Sequence, residues 1–312
     1  MSNSFSSSLV VDTATAAAIT TLGTKLAPAK AFSSDFTEDV VYPLRTLQVG
    51  VVTAAADAII SPTSFESNGT TMGNAPVSMT HISAQFGLTS AQLNQGFKLE
   101  KILAKNLQKM ANALMDTFLT PLSTSNFGAA VYNSAVTVAT GGVLGNDLIT
   151  KALPTLRTAI SNGTEKILVL DGSYYSYLIP QSGFNLNIGG SAYGFDKIYE
   201  NNRWNAVTGG SDANLNGATV GSAGTKSSTL NYLIKGFAVS PEAIALATAL
   251  PIIDPAVMEK MLISETIQIE GLGLAVQFNV WGSTTNRGLY GSFDIVAGSA
   301  AADTSALKFI VG

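Results

Sequence analysis

The chain has 312 residues, 46% of them apolar, and its 17 Lys+Arg against 21 Asp+Glu leave a formal net charge of −4. That length supports one large or two ordinary domains with a sizeable core, yet only 12% of residues are charged, against roughly 25% in average soluble domains. The absence of cysteine excludes disulfides, thiolate metal sites and cysteine nucleophiles, and a single histidine, His81, excludes a histidine metal cluster.

Ser, Thr, Asn and Gly replace the missing charge, so much of the surface is expected to be neutral and polar. Folded proteins usually rely on net charge to stay apart. A surface this poor in charge suits either a chain that meets copies of itself along most of its edge or an ordinary acidic protein with a bland exterior. The start of the chain, MSNSFSSSLVVDTATAAAITTLG, lacks a basic region and does not read as a secretory signal. The longest apolar run, Ala243 to Ile253, is broken by Thr248 and Pro251 and is too short to span a bilayer.

Residues 1–48 read as an arm of short helical or extended pieces, with an acidic cluster of Asp35, Glu38 and Asp39 and a strand, VVYPLRTLQV, broken at Pro43. Residues 49–90 carry almost no charge: between Ala58 and Phe97 the only charged residue is Glu66, and no lysine occurs between Lys30 and Lys98. Pro62, Gly69, Gly73 and Pro76 punctuate β-prone pieces here, and Val77, Met79, His81 and Ala84 alternate. The reading is a long extended hairpin or loop that contacts a partner, with Phe65, Glu66, Met72 and Met79 as candidate contact residues.

The clearest periodic signal runs from about Gln92 to Leu119. Phe97, Leu99, Ile102, Leu103, Leu107, Met110, Ala111, Leu114, Met115 and Phe118 recur every three or four positions, and Pro121 supplies the stop. A helix of that length is about 40 Å long. Lys98, Lys101, Lys105 and Lys109 form a basic stripe on it, four of the chain's 17 Lys+Arg residues. The stripe is either a solvated helix face or a surface for a polyanion.

A second helix is predicted over Asn146–Ile160, with Leu148, Ile149, Ala152, Leu153, Leu156 and Ile160 on one face and Pro154 perturbing it. KILVLD (Lys166–Asp171) reads as a short buried strand and SYYSYLI (Ser173–Ile179) as a helix stopped by Pro180. Trp204 to Asn231 is a polar Gly/Asn/Ser-rich loop, and Leu230–Ser240 is a strand. Period-two patterns then predict strands at Ser264–Ile269, Leu272–Trp281 and Leu289–Ala297, the last two joined by the turn GSTTNRG. These late strands are expected to return to the long helix, making the α–β–α unit an insertion.

Catalytic templates fail one after another. His81 has no nucleophile elbow near it in sequence and is read as structural. GSAGTKSS (Gly221–Ser228) lacks the glycine spacing of a phosphate loop, and GLGL (Gly271–Leu274) lacks the third glycine of a dinucleotide fingerprint. Asp171 ends a strand but stands alone; Glu265 and Glu270 imply no cleft. The sequons at Asn68 and Asn162 matter only in a secreted protein. No catalytic, cofactor or metal residues are therefore assigned.

The order of parts, together with KGFAVSPEAIALATALP (Lys235–Pro251), EGLGLAVQFNVWGSTTNRGLYGSFDIVAGSAA (Glu270–Ala301) and KILVLDGSYYSYLI, resembles the major capsid protein of tailed bacteriophages, whose α+β shell fold is shared with encapsulins. The resemblance implies an N-terminal arm (1–48), an extended E-loop (49–90), a peripheral domain with its spine helix (91–150), an inserted axial α/β domain (151–257), returning peripheral strands (258–298) and a C-terminal segment (299–312). It implies self-assembly as pentamers and hexamers into an icosahedral virion shell, formed in the bacterial host cytoplasm around double-stranded DNA. Expected partners are a separate scaffolding protein, a portal and a decoration or cement protein, with no membrane and no cofactor. The lysine stripe would face the lumen, towards DNA or scaffold. An encapsulin-like compartment is the alternative, a surface-layer protein a weaker one, and an enzyme weaker still.

Some relatives weld subunits by an isopeptide bond from an E-loop lysine to a neighbour's asparagine. This chain has no lysine between Ala31 and Phe97, so mature particles are expected to run as a single band on denaturing electrophoresis. Covalent ladders would contradict this.

Overall fold

A computed structural model describes residues 7–41, 46–54, 71–88, 99–122, 135–137, 148–160, 165–178, 192–201, 234–269, 271–283 and 288–311. The chain opens with helix α1 (Ser7–Lys25) and a 3-10 turn (Ala27–Ala31), then strands β1 (Ser33–Val41), β2 (Thr46–Ala54), β3 (Thr71–Ser78) and β4 (Thr80–Leu88). The long helix is α2 (Leu99–Phe118), followed by β5 (Ala135–Thr137). A single π-helical turn (Leu148–Ala152) leads into α3 (Leu153–Ala159), then come β6 (Ile167–Leu170), α4 (Gly172–Ser176), β7 (Lys197–Glu200) and β8 (Ile234–Val239). The last elements are β9 (Ile244–Pro251), α5 (Pro255–Met258), β10 (Met261–Ile269), β11 (Leu274–Ser283), β12 (Gly288–Ala301) and β13 (Leu307–Val311).

The 19-residue α1 is longer than the short pieces expected of the arm. Its buried face is built from Val10, Ala14, Ala17, Ala18 and Leu22, helical spacing carried mostly by alanine, which a count of large apolar residues overlooks. Small side chains allow α1 to lie close against α2 and β10. The arm thus lies on its own chain's core.

In α2 the predicted face is the observed one: Leu103, Leu107, Met110, Ala111, Leu114, Met115 and Phe118 are buried, and Leu99 and Ile102 are half-buried. Residues 92–98 lie outside the described residues. Its partner is a six-stranded sheet in the order β1-β9-β12-β11-β10, with β4 also paired to β12. Phe278 and Phe293 are opposite each other in register, their rings 4.9 Å apart, and Phe86 on β4 stacks on Phe278 at 6.4 Å and lies tilted to Phe293 at 6.2 Å. The Ser299 hydroxyl donates to the Thr117 carbonyl at 2.6 Å, fixing β12 to the end of α2. The late strands do return to the long helix, as expected.

Residues 244–251, expected with the inserted unit, instead join this sheet, parallel to β1 and antiparallel to β12. The run IALATALP is buried along nearly its whole length, as a strand covered on both faces should be. A second sheet has the order β5-β13-β8-β6-β7. In β6, Ile167 and Val169 face the main core, whereas Leu168 and Leu170 face a second core containing Leu148, Leu153, Leu156 and Ile160. The expected helix over 146–160 is divided because Pro154 is placed in the first turn of α3, where its missing N–H costs nothing.

Asp171, the lone carboxylate at a strand end, caps α4: it accepts from the Tyr174 backbone N–H and the Ser173 hydroxyl, each at 2.8 Å. Burial, then the Asp171 charge, then Tyr177, push the Tyr174 phenol up from 10.0 to about 12. A raised acid favours folding fully below its unfolded value, and that contribution is lost as pH rises from about 10 towards 12. Tyr174→Phe is therefore expected to leave stability near pH 7 almost unchanged and to remove on the order of 2 kcal/mol from the loss across that alkaline window. Urea denaturation at pH 8, 10 and 11.5 checks this; identical pH profiles for both chains would contradict it.

Candidate interaction surfaces

The hairpin β2–β3 pairs from Thr46 opposite Ser78 to Ala54 opposite Thr71, and its tip, 55–70, lies outside the described residues. Its base is fixed by Val49, Ala75, Val77 and Met79 packing on Ala245, Ala247, Ala249 and Val296. The contact is tight: a Cβ at Gly298 would overlap the Ser78 carbonyl. Of the residues expected to touch a neighbour, Met79 is 1% exposed and anchors the hairpin to its own sheet. Met72 lies on β3 opposite Val52, and Phe65 and Glu66 lie outside the described residues. Val77, Met79 and His81 share the side of the sheet remote from α2; Ala84, expected in the same alternation, faces the α2 side.

On α2, Lys101, Lys105 and Lys109 are exposed, one helical turn apart, opposite the buried face. Lys98 lies outside the described residues. The six-stranded sheet therefore separates a basic helix face on one side from the hairpin on the other.

A cleft of about 530 Å³ opens on the hairpin side, beside the ends of β9 and β11. Its walls are apolar, including Pro251, Ile253, Met261 and Trp281, and its floor is polar. There Asp294 accepts from His81 Nε2 at 3.2 Å, from Asn279 Nδ2 at 3.0 Å and from the Ser292 hydroxyl. Ser264 donates to Asn279 Oδ1 at 2.9 Å, and Gln277 donates to Ser264 at 3.1 Å. His81, Asp294 and Ser292 look like a nucleophilic triad in composition only. The serine is bonded to the carboxylate, not to the imidazole, so histidine cannot take its proton. His81 is a cross-strand partner of Asp294, which supports its structural reading. The cluster joins β4 to the three late strands β10, β11 and β12, and the link from His81 on β4 to Asp294, 213 residues later, is not visible in a linear reading.

Among the described residues no group of three His, Asp or Glu side chains could hold a metal ion, and no helix is long and apolar enough to cross a membrane. The phosphate-loop-like stretch 221–228 and both sequons lie outside the described residues.

No known family model matches the chain, and no curated protein matches it. Solved structures do. The virus-like particle from Pyrococcus furiosus is similar at 9% identity and a TM-score of 0.51, over 95% of this chain and 96% of that one. Mycobacterium phage Cain (12% identity, TM-score 0.49, 90% and 88% covered) and the capsid of an empty GTA particle (11%, 0.48, 88% and 87%) are similar at a lower level. The Pyrococcus likeness shows the fold: nearly the whole chain shares it, and the α+β shell fold expected from the sequence is the one observed.

Asn279 and Ser292 are 1% and 5% exposed, so removing their acceptor leaves buried donors unpaired. Asp294→Ala is expected to cost roughly 2–3 kcal/mol, and His81→Ala, at the exposed end of the network, under about 1 kcal/mol. Urea denaturation measures both; equal small effects would mean the network is solvated.

Proposed function

We propose that this protein is the shell-forming subunit of a tailed-phage capsid, assembling as pentamers and hexamers into an icosahedral shell around double-stranded DNA. The observation that carries the reading is the whole-chain likeness to a virus-like particle, which leaves almost no part of either chain uncovered. Low charge and a neutral polar surface support it, since a subunit surrounded by copies of itself has little need of charge for solubility. The polar cluster on β4, β11 and β12 is read as a structural network, in keeping with a structural rather than catalytic role.

In this reading 1–48 is the arm, 49–90 the E-loop reaching a neighbour through its tip, and α2 the spine helix. The strand pairing supports drawing the end of the inserted axial unit near Ser240 instead of 257, because β9 belongs to the sheet of returning strands, and the pairing of β13 with β8 supports counting β13 with that unit. Scaffold, portal and a decoration protein are the expected partners, in a virion assembled in the host cytoplasm. The basic face of α2 is turned to the lumen, and it favours a packaged polyanion over a protein cargo.

Light scattering with negative-stain electron microscopy, on the protein alone and then with its genomic neighbours, tests the reading. Closed shells, or rings of five or six that close with a scaffold, are expected. A monodisperse monomer under every condition overturns it, and flat lattices point to a surface layer. Replacing Lys98, Lys101, Lys105 and Lys109 by Gln is expected to leave shells intact while lowering the salt slope of DNA binding by about one per lysine. An unchanged slope would make the stripe a solvated face only.

A further inference from the structure

Among the described residues the large apolar side chains that stand exposed are Ile19, Tyr177, Ile252, Val257, Met258 and Leu262. The last four fall within residues 252–262, at 40, 48, 45 and 61% exposure. This ridge is held rigid without being buried. Asp254 caps α5 by accepting from the Ala256 N–H at 2.8 Å, Pro255 starts the turn, and Val257 and Met258 donate backbone bonds to the Asp254 carbonyl at 2.9 and 3.0 Å. A preorganised apolar ridge loses little entropy when something covers it.

The cleft lies directly beside the ridge and shares Ile252 and Val257 with it. Its floor offers little to a small polar ligand. Both Asp294 oxygens and Asn279 Oδ1 already accept hydrogen bonds within the network. Apart from Asp254 and Lys260, what remains is the apolar wall, so the surface fits a largely apolar occupant.

We propose that the ridge 252–262 and the cleft beside it form a contact with a second copy of this chain. One surface presents both a projection and a hollow, so it can complement itself across a two-fold axis between copies. Asp254 and Lys260, of opposite sign, flank the same cleft, so two copies can meet there without like charges being forced together. Four large exposed apolar side chains within eleven residues form a cluster, unlike the singly scattered apolar residues that are normal on a surface. The inference rests on the shell reading and adds to it by naming a contact surface on the opposite side of the sheet from the lysine stripe.

The absence of cysteine makes the test clean. Val257→Cys is labelled with a maleimide-polyethylene glycol reagent in assembled particles and in dissociated subunits. Labelling is expected to be at least tenfold slower in particles. In parallel, Val257→Asp with Leu262→Asp, at exposed positions, is expected to leave the thermal midpoint within a few degrees and reduce particle yield at least tenfold. Normal particles from the double variant, or Val257→Cys labelled equally fast in both states, overturn the contact while leaving the shell reading standing. Protection that appears only when a second protein is added overturns the second copy as occupant and assigns the surface to that protein. A chain that never associates overturns both readings.

Discussion

Between Gly288 and Ala301 a single strand, β12, pairs with β11 through its first half, with β9 through its second half and with β4 along 289–297. Its three partners come from different parts of the chain, and the arm joins the same sheet one strand further out, through the pairing of β1 with β9. Its two faces differ in chemistry. Phe293, Ile295 and Ala297 enter the core beneath α1 and α2, whereas Ser292 and Asp294 carry the polar network and Val296 seats the hairpin. Close approach is required on both sides: a Cβ at Gly291 would meet the Phe86 ring, and one at Gly298 the hairpin backbone.

This arrangement explains how one chain can offer different surfaces without losing a common core. The main core passes without a break from α1 and α2 through the large sheet to one face of β6, β8 and β13, and Phe32, just after α1, stacks on Phe237 of β8 at 6.3 Å. The hairpin and the ridge 252–262 lie on the side of the large sheet remote from α2. Paired strands and the capped turn of α5 carry these features, so their relative positions are set before any partner arrives, and association loses correspondingly little freedom.

Much of this was legible in the sequence. The face of α2, the division at Pro154, the buried KILVLD strand and the three late strands follow from periodicity and from proline, which act locally. Helix α1 was not legible because its contact face is alanine, and β9 was not because a continuous apolar run gives no phase to say which sheet it joins. Of the candidate contact residues, Met79 is a core anchor, since alternation marks a buried face without saying whether the cover is internal or external. The network around Asp294 depends on β4 pairing with β12; the turn GSTTNRG puts β11 beside β12, but nothing in a linear sequence brings β4 to them.

The central claim is that the sheet separates a lumen-facing helix from faces that contact neighbours. A three-dimensional reconstruction of closed particles tests it most directly. The account expects Lys101, Lys105 and Lys109 on the inner surface, with the hairpin and residues 252–262 against adjacent copies. Particles in which those lysines face outward, or in which both the hairpin and the ridge stand clear of every neighbour, would contradict it.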